Sequence, residues 1–181
     1  MNLANKFTLL RVVLVPIFIA FMTIDATWAR ALGLFIFILA SLTDMIDGKI
    51  ARSKNMITTF GKFADPLADK MLTTAAFLVF MGNGIIGVWP VFIILVREFA
   101  VSGIRLAAAA DGEVIAASFW GKFKTVTQMV VIIVGIILMF DCFPQNVSQP
   151  ITEILVWISV VFTFISGAEY VVKNWKLMKL K

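Results

Sequence analysis

Six long apolar segments, near residues 9–24, 31–50, 65–81, 88–110, 120–140 and 152–172, constrain this chain more than any other feature. Their lengths come close to the roughly 20 residues that a helix needs to cross a bilayer. Hydrophobic residues make up 61% of the 181 positions, too many for one water-soluble core, because a domain of this size still exposes much of its surface. The expected fold is therefore all-α: a single polytopic membrane domain over residues 1–181 with six transmembrane helices. Pro16 fits such a helix, since membrane spans tolerate proline. No small-residue cleavage site follows "LLRVVLVPIFIAFMTI" cleanly, so the first segment reads as a span and not as a signal peptide. No internal repeat supports an inverted-repeat transporter.

Charge placement orients the bundle. Lys6, Arg52, Lys54, Lys62, Lys122 and the closing Lys173, Lys176, Lys179 and Lys181 flank one side. The opposite connections, near 25–30, 82–87 and 141–151, hold only Arg30. By the positive-inside rule both termini and the 51–64 connection face the cytoplasm. A net charge of +5 beside apolar segments points to anionic lipid head groups and away from nucleic acid. The five tryptophans and the tail lysines read as interface anchors. A lone Cys142 excludes an internal disulfide, and the absence of histidine excludes His-based triads and His-ligated zinc or haem. Any metal must be held by oxygen, which favours magnesium or manganese.

One stretch breaks the apolar pattern: "SLTDMIDGKIARSKNMITTFGKFADPLADK", residues 41–70. On a helix, at about 100° per residue, Asp44, Asp47, Gly48, Ala51 and Arg52 fall within an arc of roughly 140°. Asp65 and Asp69, four apart, share a face of the next helix, after a Gly-containing loop of about a dozen residues. Single aspartates at helix ends are usually solvated caps, but four converging carboxylates repel one another unless cations separate them. Two divalent ions there would form a site suited to in-line displacement at phosphorus. Gly48 and Ala51 leave room for a bulky ligand, and Arg52 offers a planar fork to phosphate oxygens. A divalent-cation transporter is the rival from another class; it predicts acids spread towards the midplane, whereas these cluster at one end.

The run Asp44-x-x-Asp47-Gly48-x-x-Ala51-Arg52, eight residues, Gly61-x-x-x-Asp65-x-x-x-Asp69 resembles the full signature of the CDP-alcohol phosphatidyltransferases. Eight such positions would coincide by chance roughly once in 10^10 starting points. The resemblance implies that Asp44, Asp47, Asp65 and Asp69 bind two divalent cations, Mg2+ or Mn2+, with Asp69 also the general base. It implies that Gly48, Ala51, Arg52 and Gly61 contact the CDP part of CDP-diacylglycerol, with Thr58 a further candidate for the nucleotide pocket. It also implies a homodimer, and a bacterial plasma membrane suits the small size.

The signature leaves the acceptor alcohol open among glycerol 3-phosphate, inositol phosphate, serine and others. An anionic acceptor needs further cations, and "VREFAVSGIRLAAA" and "GKFKTVTQ" supply Arg97, Arg105, Lys122 and Lys124. Arg105 lies about 80° around the helix from Arg97. These runs, "FADPLADK" and Asn5-x-x-Thr8-x-x-Arg11 resemble the glycerol-phosphate branch of the family, although Ala4 stands where proline is common. Thr8, Arg11, Arg97, Arg105, Lys122 and Lys124 are thus candidates for the acceptor phosphate. Glycerol 3-phosphate is the expected acceptor, with phosphatidylglycerol phosphate and CMP as products.

Overall fold

A computed structural model describes residues 3–53, 59–110, 115 and 118–175, with the side chains of 3–7, 44–53, 59–67, 69 and 110 outside that description. Among the described residues there are six helices and no strand: α1 (Leu3–Met22), α2 (Thr27–Ser53), α3 (Thr59–Gly82), α4 (Val88–Ala110), α5 (Phe119–Leu138) and α6 (Gln145–Lys173). The all-α expectation holds. Four helices outrun their apolar segments: α1 begins at Leu3 and not near 9, and α6 at Gln145, inside the expected 141–151 connection. α2 continues to Ser53 and α3 begins at Thr59, so Gly61 lies in the first turn of α3 and not in a loop of a dozen residues. Polar turns at a helix end carry no hydropathy signal, which is why the segments alone set these ends too short.

Local chemistry stops the helices. α3 closes with Gly84 N–H donating to Met81 O and Ile85 N–H to Phe80 O, a Schellman arrangement. Gly84 supplies the required left-handed residue at φ 68°. α5 opens on Ser118, whose Oγ accepts from Gly121 N at 3.0 Å.

α1 packs on α2 and α3, α5 on α6, and α4 on α6 and α3. The shared core holds Phe18, Phe37, Phe77, Phe80, Ile132 and Val156. Two glycines permit the closest approaches. A Cβ on Gly33 would sit 2.6 Å from Met22 Sδ, and one on Gly135 would sit 2.6 Å from Phe80 Cζ. At the end of the bundle away from the aspartates, Arg30 pairs with Asp25 and Asp141, and Gln149 donates to Gly84 O at 2.7 Å. Three connections are tied together there.

The exterior is apolar: Phe35, Trp89, Phe99, Phe119, Phe164 and Val172 are all well exposed. Polar groups such as Arg11, Glu98, Lys124, Gln128 and Ser166 are buried instead. This inversion of the soluble pattern suits a lipid surrounding. Among the described residues α5 and α6 are long and apolar enough to cross a membrane. α4 matches them in length but carries Arg97, Glu98 and Arg105. Trp28, Trp89, Trp120 and Trp175 stand near helix ends, as interface anchors should. Trp157 stands midway along α6 and does not share that position.

Candidate active site

Helix register assembles the site. On α1, Thr8, Arg11, Val15, Phe18 and Met22 form one buried stripe. On α2 the buried stripe runs through Gly33, Phe37 and Ala40, and its next positions are Asp44 and Asp47. The two helices are antiparallel across the short 23–26 turn, so Met22 meets Gly33 and Phe18 meets Phe37, whose ring centroids are 5.9 Å apart. Seven residues further along each arm, Arg11 comes level with Asp44; ten residues further, Thr8 comes level with Asp47. Thr8 and Arg11 are both 2% exposed. A buried guanidinium at that depth is too costly to be idle.

α3 repeats the pattern. Its buried stripe, Leu72, Ala76 and Phe80, carried back towards the N-terminus, passes through Asp69 and Asp65. Phe80 meets Gly135 of α5, and eleven residues back on each helix Asp69 comes level with Lys124. Lys70, next to Asp69 in sequence, confirms this height: its Nζ is 3.5 Å from Glu98 Oε2 on α4. Lys124 Nζ donates to Glu98 Oε1, and Arg97 Nη1 donates to the same oxygen at 3.0 Å. Three cations from three helices thus surround one carboxylate. Arg97 Nη2 donates to Ser166 Oγ, and the arginine stem lies over Gly167, where a Cβ would come within 3.1 Å of Arg97 Cγ. Gln128 Nε2 donates to Thr163 Oγ1 one turn deeper, at 3.3 Å.

The expected residues divide accordingly. Asp44, Asp47, Gly48, Ala51 and Arg52 occupy the last turns of α2, and Gly61, Asp65 and Asp69 the first turns of α3. Thr58 lies outside the described residues. Arg97 and Lys124 come together; Lys124 is 3% exposed, well beyond what a surface orientation signal needs. Arg105 and Lys122 stand apart from that cluster: both are exposed, and Arg105 lies over the Tyr170 ring at 5.6 Å. Sequence reasoning missed Lys70, the central role of Glu98, and Ser166–Gly167. A Ser-Gly pair in an apolar helix signals close helix approach and was the available clue for the last. As for metals, α2 and α3 each offer two carboxylates and the set contains only oxygen, which fits hard divalent ions of the magnesium type.

The chain belongs to the CDP-alcohol phosphatidyltransferase family, whose model matches residues 1–165. Among individual relatives, it is 42% identical to the CDP-diacylglycerol–glycerol-3-phosphate 3-phosphatidyltransferase of Bacillus subtilis (strain 168), over 98% of this chain and 97% of that one. It is 36% identical to the enzyme of the same name from Rickettsia bellii, over 93% of each chain. A plant relative, CDP-diacylglycerol–glycerol-3-phosphate 3-phosphatidyltransferase 2 of Arabidopsis thaliana, is 31% identical over 99% of this chain and 82% of its own length.

Proposed function

We propose that this protein transfers the phosphatidyl group of CDP-diacylglycerol to glycerol 3-phosphate, giving phosphatidylglycerol phosphate and CMP. One observation carries the reading: the cation cluster around Glu98 lies at the height of Asp69, on the helix that supplies half of the aspartate set. A donor diphosphate and an acceptor phosphate need two such neighbouring regions. Convergent cations of this kind suit a phosphate monoester, which is close to a dianion at neutral pH. An uncharged acceptor such as inositol has no use for them; inositol phosphate would, and the names of the relatives favour glycerol 3-phosphate over it.

In this reading all six helices span the membrane, with both termini and the aspartates on the cytoplasmic side. The donor's acyl chains stay in lipid while its head group reaches the end of α2, where Gly48 and Ala51 leave space and Arg52 binds the diphosphate. Arg97 and Lys124 hold the acceptor phosphate, with Thr8 and Arg11 closing the site from α1. The acceptor hydroxyl oxygen attacks the phosphatidyl phosphorus in line; the bond from phosphorus to the CMP oxygen breaks, and Asp69 takes the hydroxyl proton. Asp44, Asp47, Asp65 and Asp69 would hold two divalent cations, Mg2+ or Mn2+, which supply charge stabilisation for the phosphoryl oxygens.

The test is CMP release from CDP-diacylglycerol by purified protein in detergent with magnesium, with and without glycerol 3-phosphate. Release should require the acceptor and fall by at least about a hundredfold in Asp69→Asn, the usual weight of a general base. Release with another alcohol only would overturn the acceptor, and none with any alcohol would overturn the transferase reading.

A further inference from the structure

We propose that Glu98 and Ser166 are positioning residues for the acceptor phosphate, acting through Lys124 and Arg97; this rests on the reading of those two cations as the phosphate holders. Neither residue has a charge or geometry suited to touching a phosphate itself. Glu98 is an anion, and Ser166 is 0% exposed. Each instead fixes a cation from a different helix. Glu98 Oε1 accepts from Arg97 Nη1 and from Lys124 Nζ, while Oε2 faces Lys70 Nζ at 3.5 Å. Ser166 Oγ accepts from Arg97 Nη2, and the bare backbone of Gly167 gives the arginine stem its bed on α6.

The physical reason is repulsion. Arg97, Lys124 and Lys70 converge on one point from α4, α5 and α3, and without a central anion they would spread. One carboxylate holds all three, and Arg97 and Lys124 keep their charge for an incoming phosphate. Arg97 then has one Nη on Glu98 and one on Ser166, which fixes the plane of its guanidinium before any ligand arrives. Lys70 and Asp69 are consecutive on α3, so the same arrangement sets the distance between the acceptor's phosphate and the base that faces its hydroxyl. Pre-organisation of this sort lowers the cost of binding without adding a contact to the ligand.

Ser166→Ala removes one hydrogen bond to a charged donor and leaves the fold's other contacts in place. Its KM for glycerol 3-phosphate should rise about tenfold, the weight of such a bond. The KM for CDP-diacylglycerol and the melting temperature should stay as in the wild type. Glu98→Gln should raise the same KM further, and Glu98→Asp should recover part of it. Calorimetry of glycerol 3-phosphate with the magnesium-loaded protein, without donor lipid, should show the same order of affinities. An unchanged acceptor KM in folded Ser166→Ala and Glu98→Asp protein would overturn the proposal. So would both KM values rising together with a lower melting temperature in Ser166→Ala, because that is what plain structural damage does. If the wild type binds glycerol 3-phosphate but releases no CMP with it, and Ser166→Ala binds it more weakly, the positioning role stands and the transfer reading falls. Absence of binding to the wild type, together with no CMP release in the presence of glycerol 3-phosphate, overturns both.

Discussion

Single residues set how closely the helices of this bundle can approach, and the two tight glycines differ in what surrounds them. Gly135 faces the ring of Phe80, fully buried in the core, and also Thr152 Cγ2 at 3.1 Å from its would-be Cβ. Gly33 faces the flexible end of Met22. Gly135→Ala should therefore destabilise the protein by about 1–3 kcal/mol, the usual cost of overpacking, while Gly33→Ala costs visibly less because a methionine can change rotamer. Thermal unfolding in one detergent checks the difference, and equal losses would mean that Phe80 can move aside. At this same scale the aspartates were legible in the sequence, because a one-dimensional spacing encodes a shared helix face. Glu98 was legible only as a neighbour of Arg97. Its partnership with Lys124 crosses 26 residues and joins side chains of α4 and α5, and no local pattern encodes which side chains reach one another.

At the scale of elements, each helix reads as an apolar stripe that changes character near one end. α2 shows this most plainly, with Phe37 and Ala40 giving way on one face to Asp44 and Asp47. Hydropathy located all six helices, yet it set α2 to end at 50 and α3 to begin at 65. The missing turns hold Ala51, Arg52 and Gly61 of the signature, polar around them because of chemistry and helical because the backbone continues regardless. The start of α5 is the element end with the clearest local cause. Ser118→Ala removes its cap and should cost about 0.5–2 kcal/mol, with hydrogen exchange increasing first at Gly121 and Lys122, whose amides bond to Ser118 Oγ and O. Increased exchange spread evenly over α5 would contradict a local capping role.

For the molecule as a whole, the separation of its two ends is open to direct test. Cys142, exposed and the chain's single cysteine, lies in the connection between α5 and α6, at the far end from the aspartates. In right-side-out membrane vesicles a membrane-impermeant maleimide should label Cys142 without permeabilisation. In the same vesicles a cysteine introduced at the C-terminal tail should react only after permeabilisation. The opposite pattern would invert the orientation, and labelling of both would deny that α6 crosses the membrane between them.

The α1–α2 hairpin also behaves as a ruler. From the 23–26 turn, the same count of residues leads down one arm to Thr8 and Arg11 and down the other to Asp47 and Asp44. An insertion of one residue in a single arm would turn its polar end by about 100° and shift it by about 1.5 Å. Equal insertions of about seven residues, close to two full turns, in both arms and in α3 would keep the polar faces in step and move the polar end outward. A descendant of this chain living in a thicker bilayer would thus have to lengthen its helices together, and the location of its chemistry would be written in how many residues it had added.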